Sequence, residues 1–156
     1  MVTVSYWFFS MRALAEFALQ TLRDLSPVGS GDDPHIGLYR ASHLLFLNGQ
    51  VVEDASAWKP GDQLGISNPV PYARLIEVGI LRMRVSGTDR VYQQAETIIR
   101  SRYGNVIDVK FTYMPVRFTS ASAATTFRRI EGKDADTRAS SLKEQPALLI
   151  TQRFAA

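Results

Sequence analysis

The stretch LGISNPVPYARLIEVG, residues 64–79, leads from a strand through a rigid connection into a short helix. Leu64 and Ile66 alternate with polar or small neighbours, as residues of a short strand do. Residues 68–71, Asn-Pro-Val-Pro, force an extended backbone, because proline fixes φ and disfavours the helical region for the residue before it. The remaining residues are typical of one or two helical turns that end at Gly79. This part of the chain therefore combines strand and helix over a short distance.

Two longer segments, one on each side of this stretch, have the apolar spacing of amphipathic helices. Residues 10–25 place their apolar side chains on one face, and Ser10 is the predicted N-cap. The second helix is predicted to begin at a cap formed by Thr88 or Asp89 and to end at Gly104. Its apolar stripe consists of Val91, Ala95, Ile98 and Ile99.

Other segments have the patterns of strands. Asn48-Gly49 separates two apolar runs, residues 38–47 and 50–53, and predicts a hairpin, since both central residues of such a turn must tolerate a positive φ. Residues 81–85 and 109–113 alternate between apolar and polar side chains. The predicted fold class is α+β, with two helices packed on a mostly antiparallel sheet of four or five strands.

The two ends of the chain are predicted to be extended arms on a domain that spans residues 1–116. Residues 117–156 form a basic C-terminal arm, which is polar and aperiodic at first and apolar towards its end. The apolar part either folds back onto the chain's own sheet or adds a strand to a neighbouring subunit. Near the N-terminus, the apolar residues Trp7, Phe8 and Phe9 belong either to the core or to an interface, which they would anchor. The interface candidates at the two ends are Trp7, Phe8, Phe9, Leu148, Leu149 and Ile150.

Composition bounds the class of protein. The 156 residues are 46% hydrophobic and 21% charged, which fits one globular domain. No segment approaches the ~20 uninterrupted apolar residues of a membrane helix, and a cleavable leader is not expected. The absence of cysteine excludes disulfides, thiolate nucleophiles and Cys-ligated zinc.

The net charge of +3 comes from the C-terminal part of the chain. Residues 1–116 contain 11 basic and 11 acidic side chains, whereas residues 117–156 contain 7 basic and 4 acidic ones. Such an arm either contacts nucleic acid or is a solvated or partner-docked tail. If the arm contacts nucleic acid, the residues expected to face the DNA are Arg117, Arg128 and Arg129.

A search for catalytic patterns predicts no enzyme. Asp32, Asp33 and His35 could together hold a metal ion, but Pro34 and the nearby glycines favour a solvated loop, so neither a metal nor a cofactor is expected. The glycines of residues 29–31 follow a helix rather than a strand, which is the wrong order for a phosphate-binding loop. A hydrolase built on the two aspartates and the histidine is kept only as a third hypothesis.

Two segments resemble a known family. Residues 26–31, SPVGSG, follow the first helix and precede residues 38–42, LYRAS; the second segment is residues 66–79, ISNPVPYARLIEVG. Together they resemble the head–tail joining, or neck and tail-completion, proteins of long-tailed bacteriophages. In that family a helix is followed by a loop with the pattern S/T-P-V-x-[ST]-G and by an L-R-x-S segment that opens a strand. A further strand, a turn with the pattern N-x-x-x-Y-A-x-x-I-E-x-G, a helix and a final strand come next. The likeness covers roughly residues 10–115 in the order of elements.

The resemblance implies a structural, non-enzymatic protein of the virion neck. Its partners would be further copies of itself in a six- or twelve-fold ring, the head connector or adaptor, the tail terminator or tail tube, and the genomic DNA in the channel, without a membrane. It would be assembled in the host cytoplasm.

The turn and its surroundings add four subunit-interface candidates, Arg40, Tyr72, Arg74 and Glu77. Glu77 is expected either to pair with Arg40 or Arg74, within or between subunits, or to be solvated while Tyr72 is part of the core. The alternative function is a small nucleic-acid-binding module that uses the basic arm, with Lys133 and Arg138 beside the three arginines named above.

Overall fold

The computed structural model describes residues 10–29, 36–79, 83, 86–115 and 145–153. The described residues form an α+β fold, as the sequence predicts. Its helices are α1 (Met11–Leu25), α2 (Leu38–Ala41), α3 (Ala73–Val78) and α4 (Val91–Tyr103). Its strands are β1 (Leu44–Leu47), β2 (Gln50–Val52), β3 (Gln63–Ser67), β4 (Ile107–Met114) and β5 (Gln145–Gln152).

The five strands make one antiparallel sheet in the order β2-β1-β3-β5-β4. The predicted hairpin joins β1 to β2, and its turn residues Asn48 and Gly49 both have a positive φ, 50° and 86°. Residues 38–41, which the apolar run assigned to a strand, instead form the single turn of α2. The first strand is therefore shorter than predicted.

The core lies between the sheet and its helices. Residues opposite each other in neighbouring strands point to the same face, so the register aligns Leu45, Ile66 and Leu148 in one row and Leu64, Ile150 and Val109 in the next. Helix α4 packs on β4 and β5, and α1 packs on α4. The buried faces of both helices complete the same cluster, with Leu14, Ala18, Leu22, Ala95 and Ile99 among its members. Ile98, which was predicted to belong to the apolar stripe of α4, is instead exposed.

The C-terminal strand β5 lies inside the sheet, between β3 and β4. Of the two alternatives, the chain therefore takes the one in which this segment folds back onto its own sheet. Leu148 and Ile150 are fully buried in the core, which corrects their assignment as subunit-interface residues. β5 is also an integral strand of the sheet, because it is the only neighbour of β4 among the described strands.

The two long helices begin in different ways. In α1 the Ser10 side chain accepts a hydrogen bond from the Ala13 N–H at 3.1 Å, as predicted. In α4 neither Thr88 nor Asp89 is the cap: Arg90 precedes the helix with φ at 49°, and it makes no side-chain cap hydrogen bond. That helix is capped from another element, as described below.

Several predictions fall on residues outside the described ranges. They concern the N-terminal group Trp7, Phe8 and Phe9, the loop residues Asp32, Asp33 and His35, most of the strand predicted at 81–85, and the basic residues Arg117, Arg128, Arg129, Lys133 and Arg138. Met83, the described member of that predicted strand, is not in a strand. None of the described helices is long and apolar enough to cross a membrane.

Candidate functional site

The segments that carry the family resemblance meet in a cluster of buried polar side chains. We call it the polar cluster; it consists of Ser26, Tyr39, His43, Asn68 and Tyr92, all buried. These residues come from the end of α1, from α2 and the segment after it, from the end of β3, and from the first turn of α4. The cluster therefore joins elements that are far apart in the sequence.

His43 is the centre of the polar cluster. Its Nε2 lies 2.8 Å from Ser26 Oγ, and its Nδ1 lies 2.7 Å from the Tyr92 hydroxyl and 3.3 Å from the amide nitrogen of Asn68. The hydrogen-bond network assigns the tautomer, because the Asn68 amide nitrogen can only donate. The Nδ1 atom is thus the acceptor, and Nε2 carries the proton and donates to Ser26. Burial, with a smaller contribution from Arg23, lowers the pKa of His43 to about 3, so the ring stays neutral at neutral pH.

This geometry does not suit nucleophilic catalysis by Ser26. The Ser26 hydroxyl donates to the Leu22 carbonyl at 2.5 Å, so it accepts from His43 rather than giving it a proton. A serine nucleophile needs the reverse arrangement, in which the imidazole accepts the hydroxyl proton. The Ser26–His43–Tyr92 chain instead fixes the C-terminal end of α1 against the start of α4.

Asn68 connects the rigid turn to the rest of the fold. Its Oδ1 accepts from the Val70 N–H at 3.0 Å, which fixes the orientation of the amide, and its Nδ2 donates to the Tyr39 carbonyl at 2.9 Å. The Gln145 side chain donates to the carbonyls of Asn68 and Val70 at 2.8 and 2.7 Å. Ser67 Oγ donates to the Pro146 carbonyl at 2.8 Å. Residues 67–70 are thereby bonded both to α2 and to the start of β5.

Glu77 caps α4. Its side chain lies in α3 with no exposed surface, and its two carboxylate oxygens accept from the backbone N–H groups of Tyr92 and Gln93, each at 2.9 Å. The Gln93 side chain adds hydrogen bonds to the carboxylate, at 3.1 Å, and to the Glu77 carbonyl, at 3.0 Å. A carboxylate at this place satisfies N–H groups that a helix start leaves unpaired and complements the helix dipole. Burial nevertheless raises the pKa of Glu77, against the opposing effect of these hydrogen bonds.

The role of Glu77 corrects both expectations drawn from the sequence. Its carboxylate accepts hydrogen bonds from backbone N–H groups at the start of α4 and does not pair with Arg40 or Arg74. It is also buried and therefore not solvated. Because it is buried within the chain, it is also unavailable to a neighbouring subunit. Arg40 and Arg74 are both exposed.

Gly79 ends α3, as predicted, and allows a close approach of Arg90. Its φ is 76°, and a Cβ atom at this position would lie 3.0 Å from Nε and one terminal nitrogen of the Arg90 guanidinium. The Arg90 N–H donates to the Ile76 carbonyl at 3.0 Å, so the end of α3 and the start of α4 are bonded through the backbone as well.

The remaining interface candidates differ in accessibility. Tyr72 is half-buried, with its ring centroid 6.4 Å from that of Tyr39. Leu149 is half-buried on the face of the sheet opposite the helices, where Phe46, Gly65 and Leu149 form a row. Among the residues assigned to an interface from the sequence, the described ones on the surface are therefore Arg40 and Arg74, with Tyr72 and Leu149 partly exposed.

The polar cluster could not be found from sequence spacing. His43 stood out only as one of two histidines, and its partners Ser26 and Tyr92 lie 17 and 49 positions away. For Glu77 the misleading signal was Asp89, which has the type and position of an ordinary N-cap. Nothing in the local sequence indicates a cap from the preceding helix.

The described residues contain no group of three or more His, Asp or Glu side chains that could hold a metal ion. Comparisons of the chain with protein-family models, with curated proteins and with solved structures found no match.

Proposed function

We propose that this chain is a structural protein of the neck of a long-tailed bacteriophage, where it forms a ring that joins the head connector to the tail and surrounds the DNA channel. The supporting observation is that residues of the resembling segments form contacts that define this fold. Asn68 holds the rigid turn, Glu77 caps α4, and Gly79 ends α3 next to Arg90. The motif thus describes a way of folding rather than a reactive centre.

The order of elements also supports the proposal. Over residues 10–115 the described elements follow one another as α1, a loop, α2, the strands β1, β2 and β3, the turn that contains Asn68 and leads into α3, the helix α4 and the strand β4. This is the order that the family pattern has. The difference lies in residues 38–41, which are helical where the family pattern opens a strand.

A ring requires two different complementary surfaces on each subunit, because its contacts are head-to-tail. Arg40 and Arg74 supply exposed, planar cations for one of them. The partners in the proposal are further copies of the chain in a six- or twelve-fold ring, the head connector or adaptor, the tail terminator or tail tube, and the DNA in the lumen. The site of action is the virion neck, after assembly in the host cytoplasm.

The nucleic-acid-binding alternative depends on Arg117, Arg128 and Arg129, which lie outside the described residues. It stays a prediction, and its signature would be DNA binding by the isolated subunit that weakens steeply with salt.

Genetic interruption tests the proposal. When the reading frame is interrupted in the phage or prophage that carries it, we expect DNA-filled heads and separate tails to accumulate, and purified protein to join them in a lysate. An Arg40→Ala/Arg74→Ala double variant should join them less well than an Arg12→Ala control, since Arg12 is an exposed arginine on α1. Joined, infectious particles formed without the chain would contradict the proposal.

A further inference from the structure

Strand β4 is an edge strand of the described sheet, and some of its backbone groups point away from β5. The Arg153 N–H donates to the Val106 carbonyl at 2.8 Å, so positions 106 and 153 form a hydrogen-bonded pair. In an antiparallel ladder such pairs alternate with pairs that are not hydrogen-bonded. The register therefore places the N–H and C=O groups of Val109 and Phe111 on the outer edge.

Two side chains of α4 occupy two of these four outward backbone groups. The Glu96 carboxylate accepts from the Phe111 N–H, and an Arg100 terminal nitrogen donates to the Val109 carbonyl at 3.0 Å. Glu96 and Arg100 lie one helical turn apart and form an ion pair of 3.3 Å with each other. An acceptor and a donor are thus presented to β4 where a neighbouring strand would present its C=O and N–H.

We propose that the Glu96–Arg100 pair closes the β4 edge and prevents it from pairing with the same strand of a second copy of this chain. An open edge strand is a template for pairing with another chain, and five of the eight residues of β4 (Ile107, Val109, Phe111, Thr112 and Tyr113) are β-branched or aromatic, the types that favour strands. Lys110 is exposed in the middle of the strand, where a charge also opposes edge-to-edge pairing. Any second strand would have to displace both side chains before it could bond to Val109 and Phe111. This inference concerns self-association and does not depend on the proposed neck function.

The first test compares the self-association of two double variants by sedimentation velocity over a range of concentrations. Glu96→Ala/Arg100→Ala opens the edge. Arg12→Ala/Glu16→Ala removes a similar ion pair, of 3.6 Å, on α1. We expect the first variant to associate at a concentration at least about tenfold lower than the control and the parent do, because charge-assisted hydrogen bonds that protect the edge are lost. A folded Glu96→Ala/Arg100→Ala variant that sediments like the control would overturn the proposal.

A second test locates the contact and uses the absence of cysteine from the chain. A single cysteine is introduced at Lys110, or at the exposed Asp24 of α1 as the control, in the Glu96→Ala/Arg100→Ala background. A short bismaleimide should link two copies through position 110 and not through position 24. Association without a link through position 110 would show that another surface is responsible, and would overturn the proposal.

A third test needs only a mild substitution, in case the double variant does not fold. Glu96→Gln preserves the size of the side chain but removes its charge. Amide hydrogen exchange followed by NMR should show the Phe111 N–H exchanging about tenfold faster than in the parent, while the Tyr92 N–H, bound to Glu77, keeps its rate. An unchanged rate at Phe111 would mean that Glu96 does not protect this edge.

Discussion

Replacing Glu77 with alanine is expected to destabilise the protein by about 2–4 kcal/mol, which is a large part of the ~5–15 kcal/mol that stabilises an ordinary domain. The substitution leaves the fully buried N–H of Tyr92 without an acceptor, and such a loss costs about 1–3 kcal/mol. The loss of the favourable interaction between the carboxylate and the helix dipole of α4 adds up to about 1 kcal/mol. The half-buried Gln93 N–H can bind water and adds less. Removal of a buried carboxylate offsets part of this cost, which is why the expected value is not larger.

The pH dependence distinguishes a buried carboxylate from a solvated one. Burial raises the pKa of Glu77 in the folded protein above 4.5, so in the interval between 4.5 and the raised pKa the folded state binds more protons than the unfolded state. The contribution of Glu77 to stability is therefore largest at low pH and decreases as the pH rises through this interval. The Glu77→Gln variant should lack this decrease. It should also be less stable than the parent at pH 7, because its amide NH₂ group faces an N–H donor.

Urea denaturation followed by circular dichroism, repeated from pH 4 to pH 8, gives the free energy of unfolding that both predictions need. Glu53→Ala is the matched control, because Glu53 is an exposed glutamate in the loop after β2. A loss below about 0.5 kcal/mol for Glu77→Ala, equal to that of an exposed position, would refute the capping role of Glu77.

Two further substitutions test the polar cluster and the central strand. The pKa of His43 is about 3 in the folded state and 6.5 in the unfolded state, so the unfolded state binds more protons between these two values. His43 should therefore lower the free energy of unfolding by about 3 kcal/mol when the pH falls from 7 to 4. A His43→Gln variant whose stability falls equally over that range in urea denaturation would contradict this. Leu148→Ala should lower the free energy of unfolding by about 3 kcal/mol, and Leu149→Ala should lower it clearly less, because only Leu148 points into the core. Equal losses in the same assay would mean that β5 is not placed as described.

Local patterns in the sequence predicted the elements whose structure depends on neighbouring residues. The spacing of apolar side chains and the Ser10 cap located α1, Asn48-Gly49 located the hairpin, and strict alternation located β4. In each case the physical cause, a helical face, a turn with positive φ or a pleated face, lies within a few residues.

The parts that the sequence did not predict depend on distant pairing. The position of β5 depends on contacts between Ser67 and Pro146, 79 positions apart, which no periodicity encodes. The cap of α4 comes from Glu77, 15 positions before Tyr92, and it replaces a local candidate at Asp89. The role of the polar cluster likewise becomes visible only when α1, β3 and α4 are brought together.

Cryo-electron microscopy of the particle that carries this chain tests the neck proposal most directly. We expect a six- or twelve-fold ring at the head–tail junction whose subunits contain the β2-β1-β3-β5-β4 sheet, with β5 paired within its own subunit and Arg40 and Arg74 at contacts between subunits or with the neighbouring ring. A purified, intact particle that lacks the chain, or that holds it away from the junction, would contradict the proposed function.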